Sequence, residues 1–209
     1  MNFDKLTESI LNEQPLHKIG IFPGAFKPPH LGHFQMISRA ARDNDDVYIF
    51  ISPKEREGVT AEQSLAILSI YSKLIPGLHI KIAHKDVDPD TGEGIQATPV
   101  GHAYNLIERI NRDVNANTYM VTVYAGTEDD FNKRFGYLFN NPEKYGNIGK
   151  IQAGDASTPT PTTPELAKYG QDKLSASAMR QAIVDGDREA FLSGIPFGVD
   201  KEKIWRIVR

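Results

Sequence analysis

Hydrophobic positions along the chain fall into short continuous runs separated by stretches of helical spacing. The runs are HKIGIF at 17–22, DVYIFIS at 46–52, LHIKIAH at 78–84 and TYMVTVYAG at 118–126. Rich in β-branched and aromatic residues, they predict four strands, with GKIQAG at 149–154 a short fifth. Between the first two runs, Leu31, Phe34, Ile37 and Ala41 share one face of a helix. A second helix starts at Thr60, where Thr60 and Gln63 have capping-box spacing, and ends before Pro76–Gly77. TPVGHAYNLIERINRD, with Pro99 in its first turn, and TEDDFNKRFGYLF complete the alternation. DVDPDTGEGIQ, polar and Gly-rich, reads as a loop, and the chain from Leu174 to Arg209 is helical in character.

Strands alternating with helices imply right-handed crossovers. The expected fold is α/β: Rossmann-like, doubly wound, a mostly parallel five-stranded sheet with helices on both faces and a helical C-terminus. Such sheets bind ligands at the carboxyl ends of their strands, beside the point where strand order reverses. Two segments stand apart from the alternation. MNFDKLTESILNEQP places Phe3, Leu6, Ile10 and Leu11 at helical spacing, so 1–16 reads as an amphipathic helix or leader before one domain at 17–209. The Thr- and Pro-rich stretch at 154–173 has no sustained periodicity and is expected to be a mobile loop.

Composition narrows the chemistry. The 209 residues contain no cysteine, which removes disulfides and thiolate–metal sites and suits a reducing compartment. A net charge of -3 gives no reason to expect nucleic acid or a membrane surface as partner, and no run reaches membrane-spanning length. A cytoplasmic protein is the expectation.

The loop after the first strand, GAFKPPHLGH at 24–33, carries the most chemistry. Gly24 permits close backbone approach, and Pro28–Pro29 stiffens the path into a helix. A helix N-terminus offers free N–H groups and a partial positive charge, which suits a phosphate. His30 and His33 can share one side of the first turn, with Gly32 leaving space between them and Lys27 adding a charge. A zinc half-site and a pair of helix-capping histidines are the alternative readings.

The loop resembles the H-x-G-H motif of the nucleotidyltransferase superfamily, which includes cytidylyltransferases and several adenylyltransferases. Gly24, Phe26, Pro28, His30, Gly32 and His33 match its usual form, G-[TS]-F-D-P-x-H-x-G-H, whereas Ala25 and Lys27 depart from it. LSASAMR at 174–180 is similar to the superfamily's closing I-S-S-T-x-x-R, with Ser175, Ser177 and Arg180 in the polar positions and Ala176 as the departure. Without the family, Ser175 there reads as a helix cap with Arg180 in the first turns.

The resemblance implies transfer of a nucleoside monophosphate, AMP in preference to CMP, from ATP or CTP to a phosphorylated small-molecule acceptor, releasing pyrophosphate. It implies His30, His33, Lys27 and Arg180 as catalytic residues. Phe22, Gly24, Ala25, Phe26, Gly32, Gly126, Thr127, Ser175 and Ser177 would line the nucleotide, with Mg²⁺ arriving on its phosphates and no protein metal site. Lys54 and Arg56, after the second strand, are candidates for an acceptor phosphate or simple surface charge. Arg134 reads as pairing with a local acid, and His79, His84 and His102 as surface residues. A nucleotide-binding or structural protein that keeps the fold without turnover is the alternative function. The leader also resembles those on internal head proteins of tailed bacteriophages, through LTE and LNE, which implies a phage-encoded member in host cytoplasm or virion. Homo-oligomer formation and docking through the N-terminal helix are further expectations.

Overall fold

The computed structural model describes residues 16–126, 128–154, 160–170 and 172–209. All but the last residue of the expected leader at 1–16, together with Thr127, lie outside the described residues. Strand β1 (His17–Gly24) leads to α1 (Leu31–Asp43), β2 (Asp46–Ile51), α2 (Ala61–Tyr71) and β3 (Leu78–Ile82). An antiparallel pair, β4 (Asp86–Val87) and β5 (Gly94–Ile95), precedes α3 (Pro99–Arg112). Then come β6 (Tyr119–Tyr124), α4 (Glu128–Asn140), β7 (Lys150–Gly154), α5 (Pro164–Ala167), α6 (Ala176–Val184), α7 (Arg188–Ser193) and α8 (Lys201–Val208).

Five strands form one parallel sheet in the order β3-β2-β1-β6-β7. The chain winds outward from β1 in one direction, then returns through α3 to place β6 on its other side. Strand order therefore reverses at β1, and the crevice beyond its carboxyl end is where such a sheet takes ligands. This is the doubly wound fold expected from the alternation.

Strand side chains alternate between two cores. Phe22, Val47, Ile49 and Ile51 face α1, α2 and the C-terminal helices. Ile19, Ile21, Phe50, Val121 and Val123 face α3 and α4. Both faces are covered, which is why the strands read as continuous apolar runs rather than as alternation. Capping follows the sequence: Thr60 and Gln63 close a reciprocal box on α2, and Thr98 accepts from Gly101 N–H with Pro99 following it. No helix among the described residues is long and apolar enough to cross a membrane.

Two expectations need correction. The polar loop at 86–96 contains β4 and β5, held by Asp88, which is buried and accepts from the backbone of Asp90 and Thr91 and from Asn105 and Arg112. Burial would raise the Asp88 pKa, but those donors hold it at about 2. His102 is not a surface residue: it is buried beside Phe50, its Nε2 2.7 Å from the His84 carbonyl. Of the 154–173 stretch, residues 154, 160–170 and 172–173 are described. Thr163 caps α5, Leu166 is fully buried, and Leu174 N–H donates to the Thr160 carbonyl at 2.9 Å.

Candidate active site

At the end of β1 the backbone turns sharply. Phe26 has φ +54° and folds its ring back over Gly24, where a β-carbon would lie 2.8 Å from Phe26 Cε2. Glycine is required there by Phe26, whose ring then lies 5.1 Å from that of His33. Tyr71, buried on α2, supports the same loop by donating its hydroxyl to the Pro29 carbonyl at 3.2 Å.

His30 and His33 cap α1 reciprocally. The Gly32 N–H donates to His30 Nδ1 (3.2 Å), the His30 N–H donates to His33 Nδ1 (3.3 Å), and the ring centroids are 4.0 Å apart. The capping alternative is thus realised, and it bears directly on chemistry. An imidazole that accepts through Nδ1 carries its proton on Nε2, so each ring keeps an Nε2–H donor that the cap does not use. Burial holds the His33 pKa down at about 4, and burial with the neighbouring His33 lowers that of His30 well below its ordinary value. Both rings are therefore neutral donors at neutral pH. The space beside Gly32, expected to admit a ligand, is filled: a β-carbon there would meet the His30 ring at 3.1 Å and Thr160 Oγ1 at 3.2 Å.

Lys27 differs from its expected placement. Its side chain is 1% exposed, and Nζ donates to the carbonyls of Ala25 (3.0 Å) and Ser52 (2.9 Å). The ammonium thus ties the end of β1 to the end of β2, which leaves one of its three donors for anything else. Burial lowers its pKa to about 8, with Glu62 opposing and Arg56 adding to the shift.

The C-terminal motif reaches the same place. Ser175 caps α6 by accepting from the Ala178 N–H at 3.2 Å, and Ser177 is exposed on the first turn. Arg180 is buried, with Nη1 donating to the Lys27 carbonyl at 2.8 Å. Its other edge meets Glu57, Nη2 donating to Oε1 at 3.2 Å and Nε 3.0 Å from Oε2. Loop and closing motif, distant in sequence, form one constellation.

The remaining candidates separate. Gly126 is exposed just past β6. Phe22 is buried behind it, stacked on Tyr124 at 4.4 Å. Lys54 and Arg56 lie exposed on the loop after β2. Arg134 pairs with Asp130 as expected, its Nε 2.6 Å from Oδ1, and also reaches the Pro23 carbonyl at 3.5 Å. Two residues were missed. Glu57 grips Arg180, and Glu62 lies within electrostatic reach of Lys27 and His84. The Glu–Gly turn at 57–58 was a legible signal for the first; nothing in the sequence marked the second. Among the described residues no group of three or more His, Asp or Glu is placed to hold a metal ion.

Residues 21–74, which span β1, the His30–His33 loop, α1, β2 and α2, match the cytidylyltransferase-like family. Phosphopantetheine adenylyltransferases from Aquifex aeolicus and Symbiobacterium thermophilum are 31% and 35% identical over 64 and 65 residues. Those matches cover 30% of this chain and 40% of each relative, so the chain spans two-fifths of the curated relatives it matches. A crystal structure from Vibrio parahaemolyticus, provisionally described as a nicotinate-nucleotide adenylyltransferase, superposes with a TM-score of 0.52 at 17% identity. It covers 92% of this chain and 99% of its own, and supports the fold.

Proposed function

Because residues 21–74 are of the cytidylyltransferase-like family and tie the chain to the nucleotidyltransferase superfamily, we infer that the protein is a nucleotidyltransferase. It transfers the nucleoside monophosphate of an NTP to a phosphorylated small molecule. The observation that carries this reading is the reciprocal histidine cap, which fixes two neutral imidazoles 4.0 Å apart with an Nε2–H on each. Adenylyl transfer is favoured over cytidylyl transfer because both curated relatives are adenylyltransferases.

The nucleotide enters as its Mg²⁺ complex. An oxygen of the acceptor phosphate attacks the α-phosphorus, the new O–P bond forms, and the bond to the bridging oxygen breaks with its electron pair leaving on pyrophosphate. Such transfers depend on alignment and on donors aimed at developing charge. His30 and His33 donate to the α-phosphate and bridging oxygens, and neutral donors do so without holding the product by a full charge. Ser175, Ser177 and Arg180 receive the β- and γ-phosphates at the start of α6. Lys27 acts on the site chiefly by fixing the carbonyl that orients Arg180. Lys54 and Arg56 remain candidates for the acceptor phosphate.

The test measures pyrophosphate release from Mg²⁺-ATP and Mg²⁺-CTP with phosphopantetheine and nicotinate mononucleotide as acceptors, alongside nucleotide binding by calorimetry. His33→Ala should retain its fold and lose roughly a hundredfold or more in rate, as removal of one preorganised donor does elsewhere. Near-normal turnover in that variant would remove His33 from catalysis, and failure of the wild type to bind either nucleotide would refute the reading altogether.

A further inference from the structure

Arg180 presents its guanidinium to the site already engaged. Between β2 and α2 the chain makes a tight hairpin in which Arg56 and Val59 exchange backbone hydrogen bonds of 3.1 and 3.0 Å. The tip is Glu57–Gly58, with φ of +46° and +78°. Positive φ at both central residues is the pattern of the two-residue hairpin turn, which normally selects Asn, Asp or Gly at its first position. Glutamate is an uncommon choice at such a φ. Its carboxylate spans Nε and Nη2 of Arg180, and its side chain is 61% exposed where that of Arg180 is 9% exposed. Glu57 thus covers the guanidinium from the solvent side.

We propose that Glu57 is an internal stand-in for phosphate, a competitor that a nucleotide must displace from Arg180 before its outer phosphates can take that edge. The proposal rests on the reading that Arg180 receives the β- and γ-phosphates. Carboxylate and phosphate use the same paired N–H groups of a guanidinium, so the two compete for one edge. Displacement is easy on the Glu57 side, because a carboxylate so exposed gains little from its pairing and returns to water once freed. A ligand with oxyanions at that edge releases the turn and gains the contact. A ligand without them leaves Glu57 in place and gains nothing from Arg180. Glu57 therefore holds down the affinity for ligands with outer phosphates and leaves that for monophosphates unchanged.

The experiment compares wild type, Glu57→Gln and Glu57→Gly by calorimetry with Mg²⁺-ATP, inorganic pyrophosphate and AMP, with Arg180→Lys alongside. Glycine suits the positive φ, so the second variant keeps the turn while removing the carboxylate. Dissociation constants for ATP and pyrophosphate should fall by about two- to fivefold in both Glu57 variants, the range of an exposed ion pair, while that for AMP stays unchanged. Equal tightening for AMP would overturn the proposal, since Glu57 would then act by general repulsion. ATP affinity unchanged in the Glu57 variants but weakened in Arg180→Lys would also overturn it: the phosphates would meet Arg180 with Glu57 in place. If neither Glu57 nor Arg180 variants shift ATP affinity, the reading of Arg180 itself falls, and the proposal with it.

Discussion

Acidification should unfold this protein through two imidazoles, by an amount that can be worked out in advance. His30 and His33 accept backbone N–H groups through Nδ1, so protonating either Nδ1 sets a donor against a donor and opens the cap of α1. The folded pKa of His33 is about 4, against 6.5 when free. A pKa depressed on folding means that the unfolded chain binds more protons between those two values, so stability falls as pH falls through 6.5 and levels off below about 4. With those two values, lowering pH from 7 to 5 removes about 2 kcal/mol through His33 alone. His30, lowered by burial and by the neighbouring His33, adds to that loss in the same direction.

The chain itself suggests the comparison variant. On α2 the same reciprocal cap is built from Thr60 and Gln63, which do not titrate in this range. His30→Asn with His33→Gln transplants that chemistry to α1 and keeps the cap without an ionisable group. Urea unfolding followed by the fluorescence of Trp205, the single tryptophan, at pH 7 and pH 5 gives the difference between the two proteins. Shared carboxylate effects cancel in that difference. Wild type should lose at least about 2 kcal/mol more than the double variant, the share that His33 alone contributes. A gap below about 1 kcal/mol would show that the imidazoles take up protons while folded, and would refute the account of the cap.

Other expectations concern the supports of the site. Asp88→Ala removes the acceptor that gathers four donors around β4 and β5, so amides of 86–95 should lose hydrogen-exchange protection while the parallel sheet keeps its own. Protection unchanged in that segment would mean that apolar contacts, through Ile95, hold the hairpin instead. Tyr71→Phe strands the Pro29 carbonyl beside the histidines and should lower stability by about 1 kcal/mol in urea unfolding. A neutral result would mean that the loop relaxes to a new donor.

The sheet was legible because its strands are covered on both faces and so advertise themselves as unbroken apolar runs. The β4–β5 pair was not, since Asp86–Val87 and Gly94–Ile95 are too short to show any alternation, and a buried carboxylate rather than a hydrophobic face holds them. His30 and His33 stood out by their spacing on a helix start, and Ser175 by its position as a cap. What the residues actually touch was less visible. Lys27 looked like a free cation beside phosphate, yet two carbonyls from different strand ends take its ammonium. That contact depends on where Ser52 lies in three dimensions, as the burial of His102 depends on the His84 carbonyl. Local pattern carries no such information.

Arg180 donates to the carbonyl of Lys27 across 153 positions of sequence, and Leu31 N–H donates to the carbonyl of Gly194 beside it. During synthesis the histidine loop therefore emerges long before the helices that complete it. Closing so large a loop costs conformational entropy that only the docked C-terminal helices recover. A nascent chain halted before α6 would display its two imidazoles without Arg180 held against the loop that carries them. The order of translation thus keeps the constellation incomplete until α6 has been made.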